Sequence, residues 1–258
     1  MSLATPSHLV AFLCCAAPLV AQQEANALHD RLVAEHVEAR LARAAETVRI
    51  QGGEAYRQAV ASHDYDAQRA LLAELADPDQ AMREPFESAR ARFEGKPGEA
   101  LFLGWLLEHI RPARGKESPY ARLLLERHAG HEIWKTLAPN ARHYFGRDPM
   151  QELEQLQQAT PFDEVRVWVR YGLARSTLRN KSASEAQRAE ANAELARIAR
   201  EHPETIPAMA IAAPAFRKER LQVGMVAPEI EGADLDGKPF KLSDYRGKVV
   251  VLDFWGDW

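Results

Sequence analysis

Between residue 24 and about residue 216, apolar side chains recur at spacings of three and four. That is the period of a helix with one face turned inward. Ala, Leu, Glu, Arg and Gln dominate the stretch, and all are strong helix formers. The pattern predicts a long first helix over 24–50, ended by Gly52-Gly53. Further helices are expected at 55–62, 64–75, 79–93, 98–110, 118–127, 149–158, 162–178 and 182–201. Asp64 and Ser182 have N-cap side chains, and Pro78, Pro112, Pro139 and Pro203 punctuate the breaks. Two apolar stripes stand out. One holds Leu101, Phe102, Trp105, Leu106 and Ile110; the other holds Val165, Trp168, Val169 and Leu173. Two such helices, each with a Trp, suggest stacked helix pairs in an irregular, repeat-like array over 22–203.

After residue 203 the pattern changes. Residues 204–222 are a changeover, a short helix or a linker, and contain the basic cluster Arg217-Lys218-Glu219-Arg220. Residues 223–230 read as extended, since the position before Pro228 disfavours helix. Asp236-Gly237 is a hairpin-turn signal, and the return strand is expected at 239–242. A short turn is expected at 243–247. Residues 248–254 form a continuous apolar run next to Gly247, the pattern of a central strand covered on both faces. The fold class is therefore mainly α, with a hairpin and the start of a central strand appended.

Residues 1–21 contain no Asp, Glu, Lys or Arg, and residues 9–20 form an apolar run too short to span a bilayer. The run fits a signal peptide cleaved after Ala21, which places the mature chain in the periplasm or outside the cell. Cys14 and Cys15, the two cysteines, both lie in that segment, so the remainder has no thiol and no disulfide. A net charge of -4, from 33 basic and 37 acidic residues, argues against nucleic acid as a partner.

Other candidate chemistry is thin. His128, His131 and Glu132 could ligate a metal, but no further ligand follows at a suitable spacing, so polar helix-end positions are expected. His29 and His36 are seven apart and share a helix face, expected to be solvated. Arg and Glu between 188 and 200 suit exposed pairs four apart. There is no Gly-rich phosphate loop, so neither a cofactor nor a metal is expected.

The last residues carry a resemblance. The Gly224-Met-Val-Ala-Pro228 opening, the Asp236-Gly-Lys238 turn, Leu242-Ser-Asp-Tyr-Arg-Gly-Lys248 and the Val-rich run into Asp253-Phe-Trp255 follow one another in order. Together they resemble the start of a redoxin domain. This is the branch of the thioredoxin superfamily that holds TlpA-like exported thiol–disulfide oxidoreductases and peroxiredoxin relatives. The helical region also looks like the helical extensions that precede some redoxin domains.

The resemblance implies thiol–disulfide chemistry on protein disulfides or dithiols. It puts the nucleophilic cysteine directly after Trp258, at a helix N-terminus that favours a thiolate, so residues 1–258 are inactive by themselves. It also places Asp253 where thioredoxins keep a buried carboxylate beneath the cysteine pair. Burial would raise its pKa and let it accept a proton from the resolving thiol; the competing role is a strand-end cap for the next helix. Trp255 and Trp258 are expected as wall and core aromatics. The Trp-x-x-Trp ending favours Cys-x-x-Cys chemistry over a peroxidase-type redoxin, and a helical interaction module with a remnant redoxin segment is a further reading. The reading frame is expected to continue past Trp258. A UGA codon for selenocysteine at the nucleophile position would be mistaken for a stop there; a contig edge, a frameshift or a nonsense mutation are the ordinary alternatives.

Overall fold

The computed structural model describes residues 7–113 and 115–254, with side chains from Val20 onward. Helix α1 (Ser7–Gln51) ends where Gly52 and Gly53 break the pattern, and Gly53 in extended conformation starts α2 (Glu54–Ala61). Helix α3 (Tyr65–Ala73) is capped as its sequence suggests: the Asp64 side chain accepts from the Ala67 amide at 2.9 Å. Helix α4 (Pro78–Arg92) has its proline in the first turn, where the missing N–H costs nothing, and Asp77 as cap. Then come α5 (Glu99–His109), α6 (Pro119–His128), the short α7 (Trp134–Leu137), a 3-10 turn at Ala138–Asn140 and α8 (Ala141–Tyr144). Helices α9 (Met150–Ala159), α10 (Asp163–Arg179), α11 (Glu185–Glu201) and α12 (Ile206–Arg220) complete the helical part. No helix among the described residues is long and apolar enough to cross a membrane.

The chain divides into two compact units, 1–194 and 195–258. The first has one continuous core drawn from α1, α4, α5, α6, α7, α9 and α10. Its aromatic centre is a stack of Phe86 on Trp105, with ring centroids 3.7 Å apart and planes 6° from parallel. Gly98 and Gly104 let neighbouring elements approach: a Cβ on Gly98 would lie 2.3 Å from the Ala25 Cβ, and one on Gly104 2.7 Å from Ile133.

Three expectations are corrected in this unit. Helix α5 does not present one stripe: Ala100, Leu103, Gly104 and Leu107 are buried along with Phe102, Trp105 and Leu106. It is packed by α1, α4 and α6 and so has almost no solvated face. The face of α1 that carries His29 and His36 turns inward: Ala25, Leu32 and His36 are buried on it. Spacings of four, three and four make a single seam down the helix, and the histidines occupy seam positions. Finally, Ser184 rather than Ser182 caps α11. Its hydroxyl accepts from the Gln187 amide at 3.2 Å while Gln187 accepts from the Ser184 amide at 2.8 Å, a reciprocal capping box.

In the second unit, strands β1 (Glu231–Ala233) and β2 (Pro239–Lys241) pair antiparallel, with Gly232 opposite Phe240. Gly237 sits at φ 77°, which the turn requires, and the Asp234 carboxylate accepts from the Asp236 and Lys238 amides at 3.0 and 2.9 Å. A 3-10 turn follows at Leu242–Tyr245. Residues 248–254 are not paired as a strand, and Val249 and Val251 are 97% and 87% exposed. A strand exists only where a neighbour takes its amides and carbonyls, and among the described residues β1 and β2 pair as strands with each other alone. Among the described residues the architecture is mainly α with one two-stranded antiparallel sheet.

Candidate functional site

The redoxin-like segment is held by short-range polar contacts. Glu229 accepts from the Ser243 amide at 2.9 Å, and the Leu242 amide donates to the Ile230 carbonyl at 2.9 Å. The Ser243 hydrogen bonds, the hydroxyl's first, hold the Glu229 carboxyl below its usual range. Lys241 pairs across the strands with Glu231 at 2.6 Å. These contacts join the chain on either side of the hairpin, and residues 248–254 beyond it are exposed. Asp253 lies in that stretch and is exposed. No strand pairs with it among the described residues. Trp255 and Trp258 lie outside the described residues.

The helical unit contains two polar centres inside its core. In the first, Glu99 at the start of α5 is fully buried. Gly95, at φ 71° just past α4, donates its amide to the carboxylate at 2.8 Å. Arg90, Arg127 and His128 contribute further contacts at 3.2, 3.1 and 3.1 Å. Burial by itself would push the Glu99 carboxyl up, but the Gly95 amide, His128 and Arg127 outweigh it and hold the carboxyl below its usual range. This explains His128: its ring nitrogen hydrogen-bonds the Glu99 carboxylate. His131 instead accepts from the Ile133 amide at 3.1 Å, and burial lowers its pKa.

The second centre joins three helices. His36 on α1 is buried, and its Nε2 lies 2.7 Å from Asp79 Oδ1 in the first turn of α4. His109, the last residue of α5, places Nδ1 3.4 Å from the same oxygen. The two imidazoles meet edge to face at 4.6 Å. Trp105 fixes both: His109 stacks on it at 4.5 Å, and His36 meets it edge-on at 5.0 Å. Burial lowers the His109 pKa, with Asp79 opposing and His36 and Arg40 adding to the shift, so its imidazole is neutral at pH 7. One ligand-type atom from each of His36, Asp79 and His109 lies within 4.8 Å of the others, so these three could hold a metal ion. Sequence reasoning missed this centre, since its residues come from three helices and 43 positions separate His36 from Asp79. The usable signal was the register of His36 with Ala25 and Leu32 on α1.

Short stretches of known proteins resemble the chain. Thiol-disulfide oxidoreductase ResA of Bacillus anthracis is 49% identical over 41 residues, which is 16% of this chain and 24% of the relative. The protein of the same name from Geobacillus kaustophilus is 51% identical over 41 residues, and that from Bacillus subtilis (strain 168) 46%. This similarity supports a thioredoxin-like redoxin family. The chain spans about a quarter of the length of the curated relatives it matches, 24% for the first. No family model matches it, and no solved structure matches it.

Proposed function

We propose that this chain is part of an exported thiol–disulfide oxidoreductase that exchanges disulfides with protein thiols. The observation that carries the reading is the 46–51% identity to thiol-disulfide oxidoreductases over 41 residues. The ordered motif from Gly224 to Phe254 agrees with it. In this reading residues 1–21 direct export. The described buried positions of α1 begin at Ala25, so cleavage after Ala21 leaves those packing residues in place. Thiol exchange requires a thiolate attacking a disulfide sulfur, and residues 22–258 contain no cysteine. The helical unit and the hairpin therefore supply scaffold, and the redoxin-like segment supplies the wall of a site whose thiols lie outside residues 22–258. Asp253 acts as proton acceptor once a sheet closes over it.

A chimera tests the reading. Residues 223–258 replace the equivalent stretch of the Bacillus subtilis relative, ahead of its own remaining sequence. The folded chimera is expected to reduce insulin disulfides well above a no-protein control, and Asp253→Asn in it is expected to slow the proton-dependent step by about a hundredfold. A folded chimera with no activity would overturn the proposal. Residues 22–258 alone are expected to show no exchange.

A further inference from the structure

We propose that His36, Asp79 and His109 form a binding site for a divalent transition metal of the zinc class, at the junction of α1, α4 and α5. The donor set is two imidazole nitrogens and one carboxylate oxygen, which suits zinc and its first-row neighbours and leaves a fourth position for water. In a tetrahedral site with bonds of about 2.0–2.1 Å, ligand atoms sit roughly 3.3–3.5 Å apart. The His109 Nδ1 to Asp79 Oδ1 separation of 3.4 Å already meets that, and the His36 Nε2 to Asp79 Oδ1 separation is the shorter 2.7 Å of a hydrogen bond. A metal takes the place of that hydrogen bond and needs only a side-chain adjustment of under an ångström there.

The surroundings favour a held site over a chance cluster. Each ligand comes from a different helix, and all three helices pack on one another. The Trp105 ring orients both imidazoles, the part that outer contacts play in metal centres. His36 is buried, while Asp79 and His109 remain partly exposed, which gives an ion a way in. The guanidinium of Arg40, one turn beyond His36, works against a cation, so the affinity is moderate and the metal is exchangeable. The metal would tie three helices together, and the site is independent of the redoxin reading.

The test uses the full chain with Cys14→Ser and Cys15→Ser, so that thiols do not compete, and without an added histidine tag. After treatment with EDTA and its removal, zinc chloride is titrated by calorimetry. The expected result is one equivalent bound and a melting temperature raised by roughly 5–10 °C at a hundredfold excess over Kd. Cobalt(II) is expected to give a visible absorption band on binding. Asp79→Asn and His109→Gln, both at partly exposed positions, are each expected to abolish the band and the thermal shift while keeping the helical circular dichroism. If either variant fails to fold, the other carries the comparison. Absence of saturable binding, or binding of equal strength in the folded variants, would overturn the proposal.

Discussion

Glu99 shows how much one residue can decide. It is a carboxylate with no exposed surface at the start of a mostly apolar helix. A buried charge is tolerated only when its partners are in place, and here an amide, two guanidiniums and an imidazole converge on it. Glu99→Ala is expected to cost about 3 kcal/mol, since it leaves the half-buried Arg90 guanidinium and the Gly95 amide without their acceptor; urea unfolding measures it. The pH dependence follows from the sign of the shift. The folded-state carboxyl lies below its unfolded value, so the unfolded chain binds more protons as the solution is acidified. Its contribution is fully present above the ordinary carboxylate range and is lost as pH falls through the depressed value. Stability measured from about pH 6 to pH 3 should therefore fall less steeply in Glu99→Gln than in the parent.

At the scale of elements, packing distance governs. Gly98 stands where α5 begins against α1, with the Ala25 Cβ 2.3 Å from the place a Gly98 Cβ would occupy. Neither atom is the end of a flexible chain, so Gly98→Ala must separate the two helices. A loss of about 1–3 kcal/mol is expected from overpacking, checked by thermal melts of the two proteins. Elements were also where the sequence was most legible. The breaks at Gly52-Gly53, the Asp64 cap and the Asp236-Gly237 turn rest on local chemistry, and each is found where that chemistry puts it. The inward face of α1 was not legible. A histidine is polar by composition, and only the neighbouring helices, which bring Asp79 and Trp105 to it, make an interior position suitable. The strand at 248–254 failed for the converse reason: its Val-Val-Val-Leu pattern describes a partner on each side, and pairing is a property of the sheet rather than of the segment.

Across the whole molecule the distribution of order is uneven. The helical unit owns a continuous core, whereas the described residues after 222 bury almost nothing. Amide hydrogen exchange is expected to be slow in α4, α5 and α6 and fast throughout 223–254; protection equal to that of the helices would refute this. The exposed run at 249–254 also carries the usual hazard of an unpaired apolar strand. Val251→Lys is expected to lengthen the lag before light scattering rises in concentrated solution, with the melting of the helices unchanged.

The hairpin adds a consequence in time. Its bonds span short sequence separations: the longest, Glu229 to Ser243, covers 14 positions. Loops of that size close in well under a microsecond and hairpins form in about 1–10 µs, so the search for this piece is local and ends early. Its outer edge is therefore set long before a distant strand could arrive beside it. Docking of residues 248–254 beside the hairpin, and not the shaping of the turn, is then the slow event.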